Sequence, residues 1–166
     1  MDALLTALFE QKAWINRELF AEMAKVDALL HPERRHLALR ILNHIHVVDQ
    51  IFAGHLRGEP HGFTGTNTEA TPTLDELRTA VERVDGWYVD LVRSLKPEQL
   101  AEVLTFRFTD GDTGRMSRAE MLAHVITHGA YHRGGVGMLM RQADVPPPRD
   151  LLTRYLHTHE PERRTA

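Results

Sequence analysis

His124, His128 and His132 sit four residues apart in the segment MLAHVITHGAYHRGGVGMLM. On an α-helix, residues at that spacing stack one turn above the other on a single face. Two imidazoles can therefore converge on one point, which is the geometry a transition-metal ion requires. Neutral imidazoles without thiolate suit Zn, Ni, Cu or Fe, and three protein ligands leave a further position open to water or substrate. At roughly 100° per residue, the apolar stripe runs through Met121, Val125 and Leu139, with His128 and His132 on either side of it. Those two are the predicted ligands, with His124 toward the rim.

A third ligand must come from another helix. The stretch around ILNHIHVVDQIF lies within a segment holding His36, His44, His46 and His55. Its apolar face is Ile41, Ile45, Val48, Ile51 and Phe52, and His44 belongs to that face. His46 is rotated by about 200° and is predicted to face solvent or a neighbouring subunit. His55 shares the face of His44 but lies about three turns further on. A lone histidine on an apolar face is ordinarily a hydrogen-bonded core residue, so it is the convergence of three that favours a metal. A di-iron carboxylate site is excluded by spacing, because Glu120 precedes His124 by four residues where Glu-x-x-His needs three. No Ser-His-Asp arrangement, phosphate loop or dinucleotide fingerprint is present, so any catalysis is predicted to run through the metal.

The elements that must hold these histidines read as helices. Leu4, Leu8, Ile15, Leu19, Val26 and Leu30 recur at helical spacing and predict a first helix over 2–30. Pro32 suits a first helical position, and the second helix runs to Arg57, stopped by Gly58 and Pro60. Residues 58–72, rich in Gly, Thr and Pro, predict a long crossover loop. A capping box of Thr73 and Glu76 opens a third helix through Leu95. Alternation in EVLTFRFTDGDTGRMS around an Asp/Gly turn predicts a short hairpin. Ser117 and Glu120 form a second capping box before the histidine helix, and Pro146, Pro147 and Pro148 precede a short final helix near 151–157. The sum is an all-α four-helix bundle over 1–166, one domain, with a small hairpin insertion and a short C-terminal helix.

Composition narrows the function classes. The 166 residues carry 20 Lys+Arg against 23 Asp+Glu, a net charge of −3, where a nucleic-acid binder would show a basic excess. The absence of cysteine removes disulfides and thiolate metal sites and fits a reducing cytosol. The N-terminus lacks the basic start of a signal peptide, and no run approaches the roughly 18 apolar residues of a membrane span. The expectation is a cytoplasmic protein that engages neither nucleic acid nor membrane.

Asp49, Asn16 and Tyr131 are polar groups in apolar helical stretches. They could support a ligating histidine or merely bond helix to helix. Trp14 and Trp87 read as core or interface. Arg133 points about 100° away from His132 and predicts a salt bridge at the bundle surface. Gly134, Gly135 and Gly137 would each weaken a helix by roughly 1 kcal/mol unless a neighbouring backbone approaches closely.

Three segments resemble the DinB/YfiT-like family. HVITHGAYHRGGV resembles its fourth-helix run His-x-x-x-His-Arg-Gly-Gln, ILNHIHVVDQIF its helix-two Asn-His-Ile core, and QKAWINREL its first-helix Trp-x-Asn pattern. The likeness covers nearly the whole chain in the same order. It implies a bundle of up-down-down-up connectivity and a divalent transition metal on His44, His128 and His132, the triad the stripe argument selects. Zn or Ni come first, with Fe, Mn or Cu as further possibilities. It also implies a homodimer and, by likeness to thiol-dependent transferases and isomerases, a small thiol substrate; a metal-dependent hydrolase is equally compatible. The alternative is a non-enzymatic, stress-related binding protein whose metal site is structural or vacant. Such a site would be closed by a fourth ligand such as His55 or His124. Gly135 stands where the family motif has Gln, which bears on ligand orientation and leaves the triad intact.

Overall fold

In the computed structural model, which describes residues 2–164, six helices and one hairpin account for the chain. Helix α1 (Ala3–Met23) is opened by Asp2, whose carboxylate accepts from the amides of Leu4 and Leu5 at 3.0 Å. It stops short of the predicted end. Asp27 turns its carboxylate back onto the amides of Leu29 and Leu30, a local bond that competes with helix continuation.

Helix α2 (Pro32–Arg57) begins with proline in its first turn and ends on Gly58, whose φ of 71° supplies the left-handed turn. Helix α3 (Leu74–Ser94) and helix α5 (Arg118–Arg141) start from the two predicted capping boxes, Thr73 with Glu76 and Ser117 with Glu120. Between them lie the single turn α4 (Pro97–Leu100) and the antiparallel pair β1 (Val103–Arg107) and β2 (Thr113–Ser117), in register from Val103–Ser117 to Arg107–Thr113. Helix α6 (Leu152–His159) and a 3₁₀ turn at Pro161–Arg163 close the chain. The result is all-α with a small hairpin insertion.

Two core clusters give the connectivity. One joins Leu19 and Met23 of α1 to Ala38 and Leu42 of α2, Leu77 and Val81 of α3, and Val136 and Met140 of α5. The other joins Phe9 to Val48, Phe52 and Leu56, Tyr88 and Val92, and Met121 and Val125. The C-terminal half of α1 thus meets the N-terminal halves of α2 and α3 and the C-terminal half of α5. Helices α2 and α3 run parallel, and the bundle is up-down-down-up. The crossover over 58–73 exists because parallel neighbours cannot be joined by a tight turn. Each large apolar side chain sealed in these clusters contributes about 1.5–3 kcal/mol.

The burial pattern corrects three sequence expectations. The inner stripe of α1 is Phe9, Lys12, Asn16, Leu19, Phe20 and Met23, whereas Leu4 and Leu30 are exposed. His46 is buried, at 6% exposure, because α2 is covered by α3 and by the crossover as well as by α5. Arg133 does form a salt bridge, to Asp150 at 2.7 Å, but it is buried beneath the C-terminal segment that folds back over α5.

Candidate metal centre

Helices α2 and α5 run antiparallel along their length and bring His44 opposite His128 and His132. One ligand nitrogen from each of the three lies within 4.8 Å of the others, and all three residues are half-buried. Ring centroids are separated by 4.9 Å (His44–His128), 4.6 Å (His44–His132) and 4.5 Å (His128–His132).

The crossover determines the protonation of His44. Its Nδ1 lies 2.7 Å from the carbonyl oxygen of Thr66, and a carbonyl can only accept, so Nδ1 carries the proton. In the neutral ring Nε2 is then a bare lone pair. That atom lies 3.0 Å from Nε2 of His128. Either a single N–H···N bond joins them, or that proton is displaced and both lone pairs converge on one cation. An ion with Zn–N bonds of about 2.0–2.1 Å needs ligand nitrogens roughly 3.3 Å apart, within reach of small side-chain rotations here. The donor chemistry fits a divalent transition metal.

Electrostatics favour the neutral, ligating form. Burial pushes the His128 imidazolium down to about 3, helped by His132, His44 and His124. Burial and then His44 lower His132 in the same direction. Nδ1 of His128 is sealed and has no hydrogen-bond partner.

The carbonyl of Thr66 is itself held in place. Asn43, buried beside His44, donates Nδ2 to Asn67 Oδ1 at 2.5 Å and to Thr68 Oγ1 at 2.6 Å. Asn67 donates to the carbonyl of Arg40 at 3.0 Å, and Arg40 donates to that of Thr68 at 2.6 Å. The partner that orients His44 is thus a loop carbonyl. The sequence offered one signal for it, the buried amide of Asn43 next to His44, and none for Thr66.

The remaining sequence candidates separate clearly. His124 stacks behind the triad, 5.3 Å from the His128 ring and 4.6 Å from Phe52, and its own imidazolium is lowered by burial. His55 faces His61 and Phe106 at 5.1 and 4.7 Å, outside the triad. His36 is exposed. Tyr131 is 79% exposed and stands edge-on to His132 at 5.0 Å, on the surface rather than in an apolar layer. Among the described residues, no fourth histidine or carboxylate joins the group.

Asp49 and Asn16 serve a different cluster. Lys12, which sequence reasoning passed over, pairs with Asp49 at 2.8 Å and with Asp85, and Asn16 donates to Asp85 at 2.8 Å. The signal was present: Lys12 and Asn16 sit on the inner stripe of α1, and Asp85 on the stripe Leu77, Val81, Tyr88 and Val92 of α3. The tryptophans pack against cations, Trp14 under Arg154 and Trp87 under Arg57. Of the three glycines, Gly137 has a close neighbour, Pro147, which a Cβ would meet at 3.3 Å, whereas Gly134 faces open space and Gly135 meets only Ile41 at 3.9 Å.

Comparison with known proteins places a family name beside this geometry. The chain is 23% identical over 146 residues to "Protein DinB" of Bacillus subtilis (strain 168), covering 82% of this chain and 84% of that one. The model of the DinB family matches residues 2–164, and the chain belongs to that family.

Proposed function

We propose that the protein is a metal-dependent enzyme whose divalent ion, Zn or Ni first, is held by Nε2 of His44 together with His128 and His132. The observation that carries this reading is the fixed tautomer of His44. Its proton is committed to Thr66, and its lone pair faces the next imidazole 3.0 Å away.

When bound, such an ion supplies Lewis acidity toward a water or small thiol at the open position, so that a nucleophile forms near neutral pH. The chain's own residues do the rest. Thr66 and Asn43 orient His44, burial keeps His128 unprotonated, and His132 sits at the solvent edge where a small molecule enters. A thiol-dependent transfer and a hydrolysis are both supported by this chemistry, and membership of the family favours neither. Assembly as a homodimer in the cytoplasm, with a small thiol as substrate, belongs to the same proposal. Among the described residues no helix is long and apolar enough to cross a membrane.

The test is elemental analysis of untagged protein beside His44→Ala, His128→Ala and His132→Ala, with His46→Ala as control. About one transition-metal ion per chain in wild type and control, and less than roughly a tenth of that in each triad variant, is the expected result. Retention by any triad variant removes that residue from the ligand set. Absence of metal from reconstituted wild type assigns the cluster to hydrogen-bonded histidines and the protein to a binding role. In a cobalt-substituted sample, azide or a small thiol is expected to change the visible spectrum, as an open coordination position requires.

A further inference from the structure

A cavity of about 450 Å³ lies on the side of α5 away from α2, between the middle of α1, the C-terminal half of α5 and the segment 147–151. It falls in the size range of small-molecule sites. Its walls are apolar where Ile15, Leu19 and Pro147 line it, and two apolar side chains stand at its rim, Met138 at 59% and Leu151 at 43% exposure.

Its polar lining is unbalanced. Arg133, Arg141 and Arg149 bring three guanidinium groups against the single carboxylate of Asp150. That carboxylate is already engaged on both oxygens: Oδ1 accepts from Gln11 at 2.5 Å and Oδ2 from Nε of Arg133 at 2.7 Å. Arg141 and Arg149 are exposed and form no ion pair among the described residues. Arg133 is 4% exposed, and Nε is its only hydrogen-bonded nitrogen. Nη1 is sealed without a partner, whereas Nη2 has no hydrogen bond and is not sealed. A largely desolvated guanidinium with a free donor at a cavity is a strong anion receptor, because a charge-assisted hydrogen bond to an anion gains from the loss of water.

We propose that this cavity binds a small organic monocarboxylate, its carboxylate against Nη2 of Arg133 and its apolar chain along Ile15, Leu19 and Pro147. An inorganic phosphate would answer the charge but not the apolar walls, and an uncharged alcohol would answer the walls but not the charge. The site is separate from the histidine triad and does not depend on a metal.

Isothermal titration of chelator-treated protein with hexanoate, hexanol and inorganic phosphate tests it, with His132→Ala run in parallel to exclude binding at the triad. Saturable hexanoate binding, unchanged in His132→Ala and about tenfold weaker or more for hexanol and phosphate, is expected. Gly134→Leu is the blocking variant, because a Cβ at Gly134 meets no atom within 4 Å and the side chain would occupy the cavity it lines. It is expected to abolish binding without lowering the melting temperature. Arg141→Gln with Arg149→Gln, both on exposed positions, is expected to weaken hexanoate about threefold or more. No saturable binding, equal binding of hexanol, or hexanoate binding that survives Gly134→Leu would overturn the proposal.

Discussion

Helix α2 contributes to two three-membered polar clusters that differ in kind. Asp49 joins Lys12 and Asp85 in a cluster whose side chains are 1–4% exposed, while His44, five residues earlier, joins His128 and His132 in a half-buried groove. In the first, charge answers charge. Burial alone would lower the Lys12 ammonium, yet the two carboxylates outweigh it and hold it above its ordinary value. Burial pushes the Asp49 carboxyl up to about 6 against the pull of Lys12. In the second cluster all three members are imidazoles, each with one ring nitrogen turned toward the others and no carboxylate or lysine among them. A buried cluster that carries its own cation is framework. A group of three imidazoles beside solvent could hold a cation supplied from outside, and that difference separates structural polarity from a candidate site.

The most disruptive way to test the contrast is Lys12→Met. It leaves Asp49 and Asp85 buried without their cation, and the expected cost is about 3–5 kcal/mol in chemical denaturation. Whatever fraction remains folded should still bind metal. Loss of metal with retained stability would show that the two clusters are one. Next comes Asn43→Ala, which releases the crossover that positions Thr66. Metal affinity should fall about 10–100-fold while His44, His128 and His132 all remain, as measured by competition with a chromophoric chelator. Asn43→Ala with unchanged affinity would make the Thr66 carbonyl irrelevant to the triad.

A smaller effect concerns His46, which burial, then the charge of Lys12, pushes down to about 4 from 6.5. Between those values the unfolded chain binds the proton and the folded chain does not, so acid weakens the wild type through this group. The slope is at most about 1.4 kcal/mol per pH unit. The stability of His46→Gln relative to wild type should therefore rise as pH falls from 6.5 toward 4, followed by urea unfolding of metal-free protein, with metal stoichiometry unchanged. Smallest of all, Gly134→Ala should stabilise by about 1 kcal/mol, whereas Gly137→Ala, which must displace Pro147, should gain nothing in thermal melting.

Much of this was legible because it is local. Capping boxes at Thr73 and Ser117, the stop at Gly58 and the alternation of the hairpin depend on residues within a few positions, and each stands where periodicity and caps put it. His44, His128 and His132 were legible as a set because helical spacing alone puts the last two on one face. The end of α1 was not, because the pattern through Leu30 is sound and Asp27 defeats it with two side-chain bonds. Neither were the surroundings of His46 and Arg133. A helical wheel gives direction about an axis, and says nothing of how many neighbours surround that axis.

The sequence by itself determined the order of the helices, the capped starts of α3 and α5 and which imidazoles of α5 share a face, since these follow from the 3.6-residue period and from caps. Only the tertiary structure decided that a loop carbonyl from Thr66 would fix the proton of His44, that Lys12 would find two carboxylates from α2 and α3, and that the C-terminal segment would bury Arg133. Those are contacts between residues 17 to 73 positions apart. Their pairing is set by how the bundle closes and by the cost of leaving a buried charge or donor unanswered.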